Sequence, residues 1–168
     1  DTVFKGGTAL SKCFHLIDRF SEDIDITFSE HIGASRRKKL KYDILKPISE
    51  ELDMPIENWS TIESDKDYNY YLFAYKPISD FPVAGISSGV KLETALVSYS
   101  FPTVEKEVSS IIYETLKNTA PDIISDYELN PFAMKVQSVS RTFIDKIYAL
   151  CDYYLEGKTK RFSRHLYD

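Results

Sequence analysis

The sequence predicts an α+β fold with a helical C-terminal portion, and three observations predict it. The opening reads strand, helix, strand. The middle holds an antiparallel-looking group of strands, and the closing stretch is mostly helical in its apolar spacing.

Thr2-Val3-Phe4-Lys5 reads as the first strand. Gly6-Gly7 makes a turn after it, and Thr8 can cap a helix running to about Leu16. Ile24 to Phe28 alternates as a strand. Residues 34–52 place Leu40, Ile44, Leu45, Ile48 and Leu52 at helical spacing, interrupted only by Pro47. Ile56 to Ile62 and Tyr68 to Tyr75 read as two strands joined by the polar turn Ser64-Asp65-Lys66-Asp67. Val90 to Val97 is a strand rich in β-branched residues, and Glu105 to Leu116 reads as a helix with Val108, Ile111, Ile112 and Leu116 on one side. Ala133 to Val139 is a short strand or extended link. Thr142 to Leu155 is a helix ended by Gly157, and its stripe of Phe143, Ile147, Leu150 and Tyr154 is expected to pack on the domain. The abrupt opening on a strand, and the ending inside an apparent helix start, read as a domain fragment.

At 168 residues, with 43% hydrophobic and 28% charged residues, the sequence suits one compact domain or a small two-lobed one. An aromatic share of 14% implies a well-filled core with half-buried Tyr. No apolar run approaches the roughly 20 residues of a spanning helix, and no signal-peptide pattern opens the sequence. Cys13 and Cys151 fit no disulfide or metal spacing, so a reducing cytoplasm is the default and no membrane is expected. The net charge of −5 gives no global attraction to nucleic acid. Two local basic segments, Arg36 to Lys41 and Lys158 to Arg164, are either contacts for RNA or solvated faces.

Three pieces carry chemistry. In Phe4-Lys5-Gly6-Gly7-Thr8-Ala9-Leu10-Ser11-Lys12, two glycines let the backbone approach a ligand without a Cβ in the way. The following helix start suits a phosphate, Thr8 adds a hydroxyl, and Lys12 lies one turn further on. The same residues also make an ordinary strand-to-helix turn, and the spacing is not that of a P-loop. In Asp23-Ile24-Asp25-Ile26-Thr27, period 2 puts both carboxylates on one face and the apolar residues on the other. Oxygen-only donors of this kind suit Mg²⁺, which takes few protein ligands and shares substrate phosphates. In Val90-Lys91-Leu92-Glu93-Thr94, Lys91 and Glu93 share a face, and Glu93 becomes a third acid if the two strands are neighbours.

Lys5-Gly6-Gly7-Thr8-Ala9-Leu10 followed by Arg19-Phe20-Ser21-Glu22-Asp23-Ile24-Asp25 resembles the opening signature of the AbiEii-type nucleotidyltransferases. Those are toxins of toxin–antitoxin and abortive-infection systems within the polymerase-β-like superfamily. Arg141-Thr142-Phe143-Ile144-Asp145-Lys146-Ile147-Tyr148-Ala149-Leu150 resembles the family's helix with a central Lys, and Arg161-Phe162-Ser163-Arg164-His165-Leu166-Tyr167-Asp168 its closing motif. The resemblance implies a polymerase-β-like nucleotidyltransferase core, a mixed sheet flanked by helices, over residues 1–130, with residues 131–168 starting a helical C-terminal portion. It implies that Asp23 and Asp25 bind catalytic metal and that Glu93 matches the third acid. It also implies that Gly6, Gly7, Thr8 and Lys12 contact phosphates, that Lys146 reaches the triphosphate, and that Asp168 is the closing acid of the nucleotide site. Read alone, Lys146 lies just off the apolar stripe and either snorkels to solvent or points into a cleft. Many members carry Lys-Asp where this chain has Arg164-His165, which leaves open whether that acidic role passes to Asp168.

The expectation is therefore a transferase that moves a nucleoside monophosphate from a nucleoside triphosphate, with Mg²⁺ or Mn²⁺, to RNA, tRNA or a protein, with an antitoxin protein as partner. The alternatives are a housekeeping or antibiotic-directed nucleotidyltransferase and an inactive nucleotide-binding interaction module.

Overall fold

A computed structural model describes residues 1–19, 21, 23–63, 66–76, 89–96, 100–158 and 162–168. Phe20 and Glu22 of the acidic motif, Ser64 and Asp65 of the expected turn, Val97, and residues 159–161 of the second basic segment lie outside the described residues. The elements run β1 (Thr2–Lys5), α1 (Gly6–Lys12), β2 (Asp23–Phe28), α2 (Ala34–Lys39), a π-helical segment (Leu40–Leu45) and α3 (Lys46–Glu51). There follow β3 (Tyr68–Ala74), β4 (Gly89–Ala95), β5 (Thr103–Val108), α4 (Ile111–Leu116), α5 (Pro121–Asp126), β6 (Phe132–Gln137), α6 (Val139–Leu155) and α7 (Phe162–Tyr167). Strands in mixed parallel and antiparallel pairing, with helices before, between and after them, make the α+β class that the sequence predicts. Contacts divide the chain into two compact units: Asp1–Thr2 with Phe20–Tyr99, and Val3–Arg19 with Ser100–Asp168.

In the first unit β4 lies between β3, antiparallel, and β2, parallel. One sheet face is apolar. Tyr71 and Phe73 join Leu45, Ile56 and Ile62 in a buried cluster, with Leu40, Met54, Trp59, Val90 and Leu92 packed against it. Truncating a buried member such as Leu45 to Ala costs about 2–5 kcal/mol. Gly89 permits the β3–β4 approach, since a Cβ there would sit 2.7 Å from the Phe73 carbonyl oxygen.

Residues 34–51 are helical as expected, and Pro47 does not break the helix. Proline cannot donate to the preceding turn and its ring crowds the carbonyl there. The wider π-helical segment just before it accommodates both defects. Lys41 is buried and donates to the carbonyls of Trp59 (3.1 Å) and Ile62 (2.9 Å), with its Nζ 4.6 Å from the Trp59 ring centroid.

Ile56 to Ile62 is not the expected strand. Only Ile56 bridges to Phe73, and Trp59–Thr61 is a 3₁₀ turn. The Asn58 side chain takes the place of a ladder, accepting from Leu72 N at 3.0 Å and donating to Tyr70 O at 2.9 Å. Lys41 claims two carbonyls that a strand would need.

In the second unit β6 pairs in parallel with β1, Phe4 opposite Val136, and antiparallel with β5. Val3 and Val136 are fully buried, and Ala9, Leu10, Cys13, Ile17 and Ile124 are buried too. The turn and cap expected at Gly6-Gly7-Thr8 need correction. Gly6 adopts φ 75°, so the chain passes from strand to helix with no connecting loop. Lys5 is the N-cap, Thr8 is buried inside the helix, and the helix stops at Lys12 rather than Leu16.

The helix expected from Glu105 to Leu116 is two elements, β5 and α4, with the Ser110 hydroxyl capping α4 by accepting from Tyr113 N at 2.9 Å. Pairing decides the strand: Glu105 faces Lys135 across the ladder, an opposite-charge pair that favours sheet.

The α6 helix begins at Ser138, whose hydroxyl accepts from Arg141 N, and ends at Gly157 with φ 66°. Its apolar stripe does not pack as expected: Phe143 is 63% exposed and Tyr154 79%. The helix is anchored by polar groups instead. Buried Gln137 donates to Thr142 Oγ1 (3.2 Å) and Asp145 Oδ2 (2.9 Å), and Tyr153 sets its ring edge-on to His165 of α7 at 5.2 Å. Among the described residues no helix is long and apolar enough to cross a membrane.

Candidate functional site

The parallel register of β2 on β4 sets Asp25 opposite Glu93 and Asp23 opposite Lys91. Strand period 2 then puts Asp23, Asp25 and Thr27 on one face with Lys91 and Glu93, as the sequence spacing requires. The antiparallel register of β3 adds Tyr70, opposite Glu93, and Tyr68, opposite Ala95, to that face. Lys91 Nζ donates to the Glu93 carboxylate, lies 3.9 Å from Asp23 Oδ1, and sits 5.5 Å from the Tyr70 ring centroid. The Tyr68 hydroxyl donates to Glu93. Burial of that phenol, and then the negative charge of Glu93, Asp25 and Asp23, push its pKa well above the ordinary tyrosine value. Tyr68 and Tyr70 are the members of this face that sequence reasoning missed. The only signal was the alternation Tyr68-Asn69-Tyr70-Tyr71, which acquires meaning once the register is known.

Among the described residues no three His, Cys, Asp or Glu are gathered so as to hold a metal ion. The donor chemistry of Asp23 and Asp25, two carboxylates on one strand face, suits a hard divalent cation that completes its shell with water and phosphate oxygens. Glu93 stands beside Asp25 with Lys91 and Tyr68 already on its carboxylate.

In the second unit Asp168 is the centre of a charged cluster. Its side chain is fully buried, Arg19 grips it through Nε (2.7 Å) and Nη2 (2.5 Å), and Lys146 Nζ donates at 2.6 Å. Burial pushes the Asp168 carboxyl up, but the hydrogen bonds from Arg19 and Lys146 outweigh it and hold the pKa below the usual range. Lys146 and Asp168, both nucleotide-site candidates, are thus brought together, with Arg19 of the opening signature as third partner. Tyr167 OH accepts from Asp18 N at 3.1 Å and ties α7 to the same segment.

Gly6, Gly7, Thr8 and Lys12 lie together in α1, with Gly7 and Thr8 buried and Lys12 half-buried. Burial lowers the Lys12 pKa and pushes the adjacent Cys13 thiol up to about 11, against the opposing pull of Lys106.

The basic segment Arg36 to Lys41 is divided by the fold. Lys41 is an internal pin, Arg37 pairs with Asp67 at 3.0 Å, and Arg36 with Glu30 at 2.5 Å, while Lys38 and Lys39 are exposed.

No curated protein and no solved structure gives a significant match to the chain. One protein family does: its sequence model, described as Nucleotidyl transferase AbiEii toxin, Type IV TA system, matches residues 1–168, every position of the chain. The chain belongs to the AbiEii nucleotidyltransferase toxin family of type IV toxin–antitoxin systems.

Proposed function

We propose that this chain transfers a nucleoside monophosphate from a nucleoside triphosphate to a hydroxyl of an acceptor, with Mg²⁺ or Mn²⁺ held by Asp23 and Asp25. The observation that supports it best is the β2–β4 register, which sets Asp23, Asp25 and Glu93 on one face. Family membership supplies the reaction class.

In this reading the acceptor oxygen forms a bond to the α-phosphorus, the bond from that phosphorus to its bridging oxygen breaks, and pyrophosphate leaves. The acceptor proton passes to a carboxylate of the acidic face. A bound divalent ion would supply stabilisation of the charge that develops on the entering and leaving oxygens. Asp23 and Asp25 position it, and Glu93 is the third acid. Gly6, Gly7, Thr8, Lys12, Lys146 and Asp168 are assigned to the nucleotide by the sequence motifs they share with the family. RNA, tRNA above all, is the leading acceptor, met through exposed cations such as Lys38 and Lys39. The reading places the enzyme in the cytoplasm, with an antitoxin protein as its counterpart.

The test is incubation of the protein with each α-labelled triphosphate, Mg²⁺ and total RNA or lysate. Label entering an RNA or protein band with the native chain, and no label with Asp25→Asn, supports the reading. No transfer from any triphosphate to any acceptor overturns it.

A further inference from the structure

Sequence motifs assign Asp168 to the nucleotide, yet its side chain has no exposed surface with which to meet one. Both carboxylate oxygens are engaged inside the protein. Arg19 Nε donates to Oδ1 at 2.7 Å, while Arg19 Nη2 (2.5 Å) and Lys146 Nζ (2.6 Å) donate to Oδ2. Lys146 differs. Its side chain is 15% exposed, and an ammonium has three donors, of which Asp168 takes one.

Two further contacts hold the frame around this cluster. Tyr167 OH accepts from Asp18 N, next to Arg19, and Tyr153 of α6 meets His165 of α7 edge-on. The α7 helix is thus tied both to the segment that carries Arg19 and to the helix that carries Lys146. A planar guanidinium gripping a carboxylate with two nitrogens fixes its orientation as well as its charge.

We propose that Arg19 and Asp168 are positioning residues for Lys146: the Arg19 fork fixes the Asp168 carboxylate, that carboxylate fixes the Lys146 ammonium, and Lys146 alone of the three meets the triphosphate. This rests on the reading above that Lys146 reaches the nucleotide. It gives binding a sign. Were Asp168 only a neutralising charge, Asp168→Asn would leave two cations and tighten the hold on an anion. As a positioning group, its loss frees Lys146 to swing away, and binding weakens. Were Arg19 or Asp168 a direct contact, its effect would persist once Lys146 is gone; acting through Lys146, it vanishes with it.

The experiment is equilibrium dialysis of each α-labelled triphosphate with Mg²⁺ against the full chain, with folding checked by circular dichroism. Lys146→Met is expected to weaken binding about tenfold or more. Asp168→Asn should weaken it about tenfold and Arg19→Lys, which keeps the charge but cannot make the two-nitrogen grip, about fivefold. Combined with Lys146→Met, each should change affinity by less than about twofold. Tighter binding by Asp168→Asn, or losses that add to that of Lys146→Met, overturns the proposal. Should Asp168→Asn not fold, Arg19→Lys decides alone. Should Lys146→Met bind too weakly to measure, nitrogen NMR of the ligand-free Lys146 ammonium decides: it must move between the native chain and Arg19→Lys, and an unmoved resonance overturns the assignment. If Lys146→Met binds as the native chain does, the nucleotide reading of Lys146 is wrong and the assignment falls with it. If Lys146→Met weakens binding and the other losses add to it, only the positioning roles fall.

Discussion

Asp25 and Glu93 stand opposite one another on two parallel strands, although α2, α3 and β3 all intervene between them in the chain. Their neighbours on the face, Asp23 and Lys91, are opposite one another in the same register. The acidic face is therefore a product of strand pairing.

Asp23→Asn and Asp25→Asn each remove one charge from a half-exposed strand face and disturb no core contact. Both should lower nucleotide transfer by about a hundredfold or more, the loss of roughly 3 kcal/mol of transition-state stabilisation. The thermal unfolding midpoint without ligand should stay near that of the native chain. Native-like transfer in either variant, measured with labelled triphosphate, contradicts their role.

Mg²⁺ added with a triphosphate should raise the unfolding temperature of the native chain, because ligand binds only the folded state. Asp23→Asn should gain much less from the same addition in a thermal-shift assay. Equal gains would mean that the ligand binds away from this face.

The Tyr68 phenol has a folded-state pKa above its ordinary value of 10.0, caused by burial first and then by Glu93, Asp25 and Asp23. A raised value means stability that is whole below the ordinary pKa and lost as pH rises through the folded one. Tyr68→Phe should flatten this alkaline decline at a cost near neutral pH of under about 1 kcal/mol, since a half-exposed group is screened. In tyrosine-labelled NMR the Tyr68 resonance, identified by its loss in Tyr68→Phe, should titrate late in the native chain and earlier in Asp25→Asn, whereas Tyr71, raised by burial alone, should not move. An unchanged titration in that variant removes the electrostatic coupling.

Asp168 behaves in the opposite sense. Its folded-state pKa is held below the ordinary 3.8, so its contribution is present above that value and is lost as pH falls through the folded one. Asp168→Asn leaves Arg19 and Lys146 facing each other, both largely buried, and should cost about 3 kcal/mol at neutral pH. Denaturant unfolding at pH 7 and pH 3 measures both effects. A variant as stable as the native chain at pH 7 contradicts the clamp.

The basic segment gives a paired test. Lys41→Met leaves the buried Ile62 carbonyl and the partly buried Trp59 carbonyl without their donor and should destabilise by about 1–3 kcal/mol each way it is measured, by heat or by denaturant. Replacing Lys38 and Lys39 by Gln should leave stability alone but lower the salt slope of RNA binding by about one unit per lost contact. An unaltered slope removes these two residues from any RNA interface.

The legibility of the chain in its sequence follows interaction range. The strands β1, β2, β3 and β4 are plain because their alternation is local and strong, and the two faces of Asp23-Ile24-Asp25-Ile26 follow from period 2 alone. That Glu93 would join Asp25 was conditional on the strands being neighbours, and the pairing supplies that condition. Errors came where a distant group overrides local pattern. Asn58 and Lys41 capture the backbone of residues 56–62 and prevent a strand. The charged β5 is drawn into sheet by β6, while its apolar ends and those of α4 together imitate a helix. Tyr68 and Tyr70 were legible only as members of a strand, because their position relative to Glu93 depends on an antiparallel register that no local rule gives. Arg19 was legible as part of a motif, but its grip on Asp168 spans nearly the whole sequence.

The parallel β2–β4 pairing also sets a clock. Parallel strands need a long crossover, and here β4 is made only after α2, α3 and β3. At about 5–20 residues per second, a ribosome completes β4 on the order of several seconds after β2. Until then a nascent chain carries Asp23 and Asp25 without β4, and so without Lys91 and Glu93 on the same face. For a member of a toxin family this is a delay written into topology: the surface that carries the acids comes into being only in chains whose synthesis has run past Ala95.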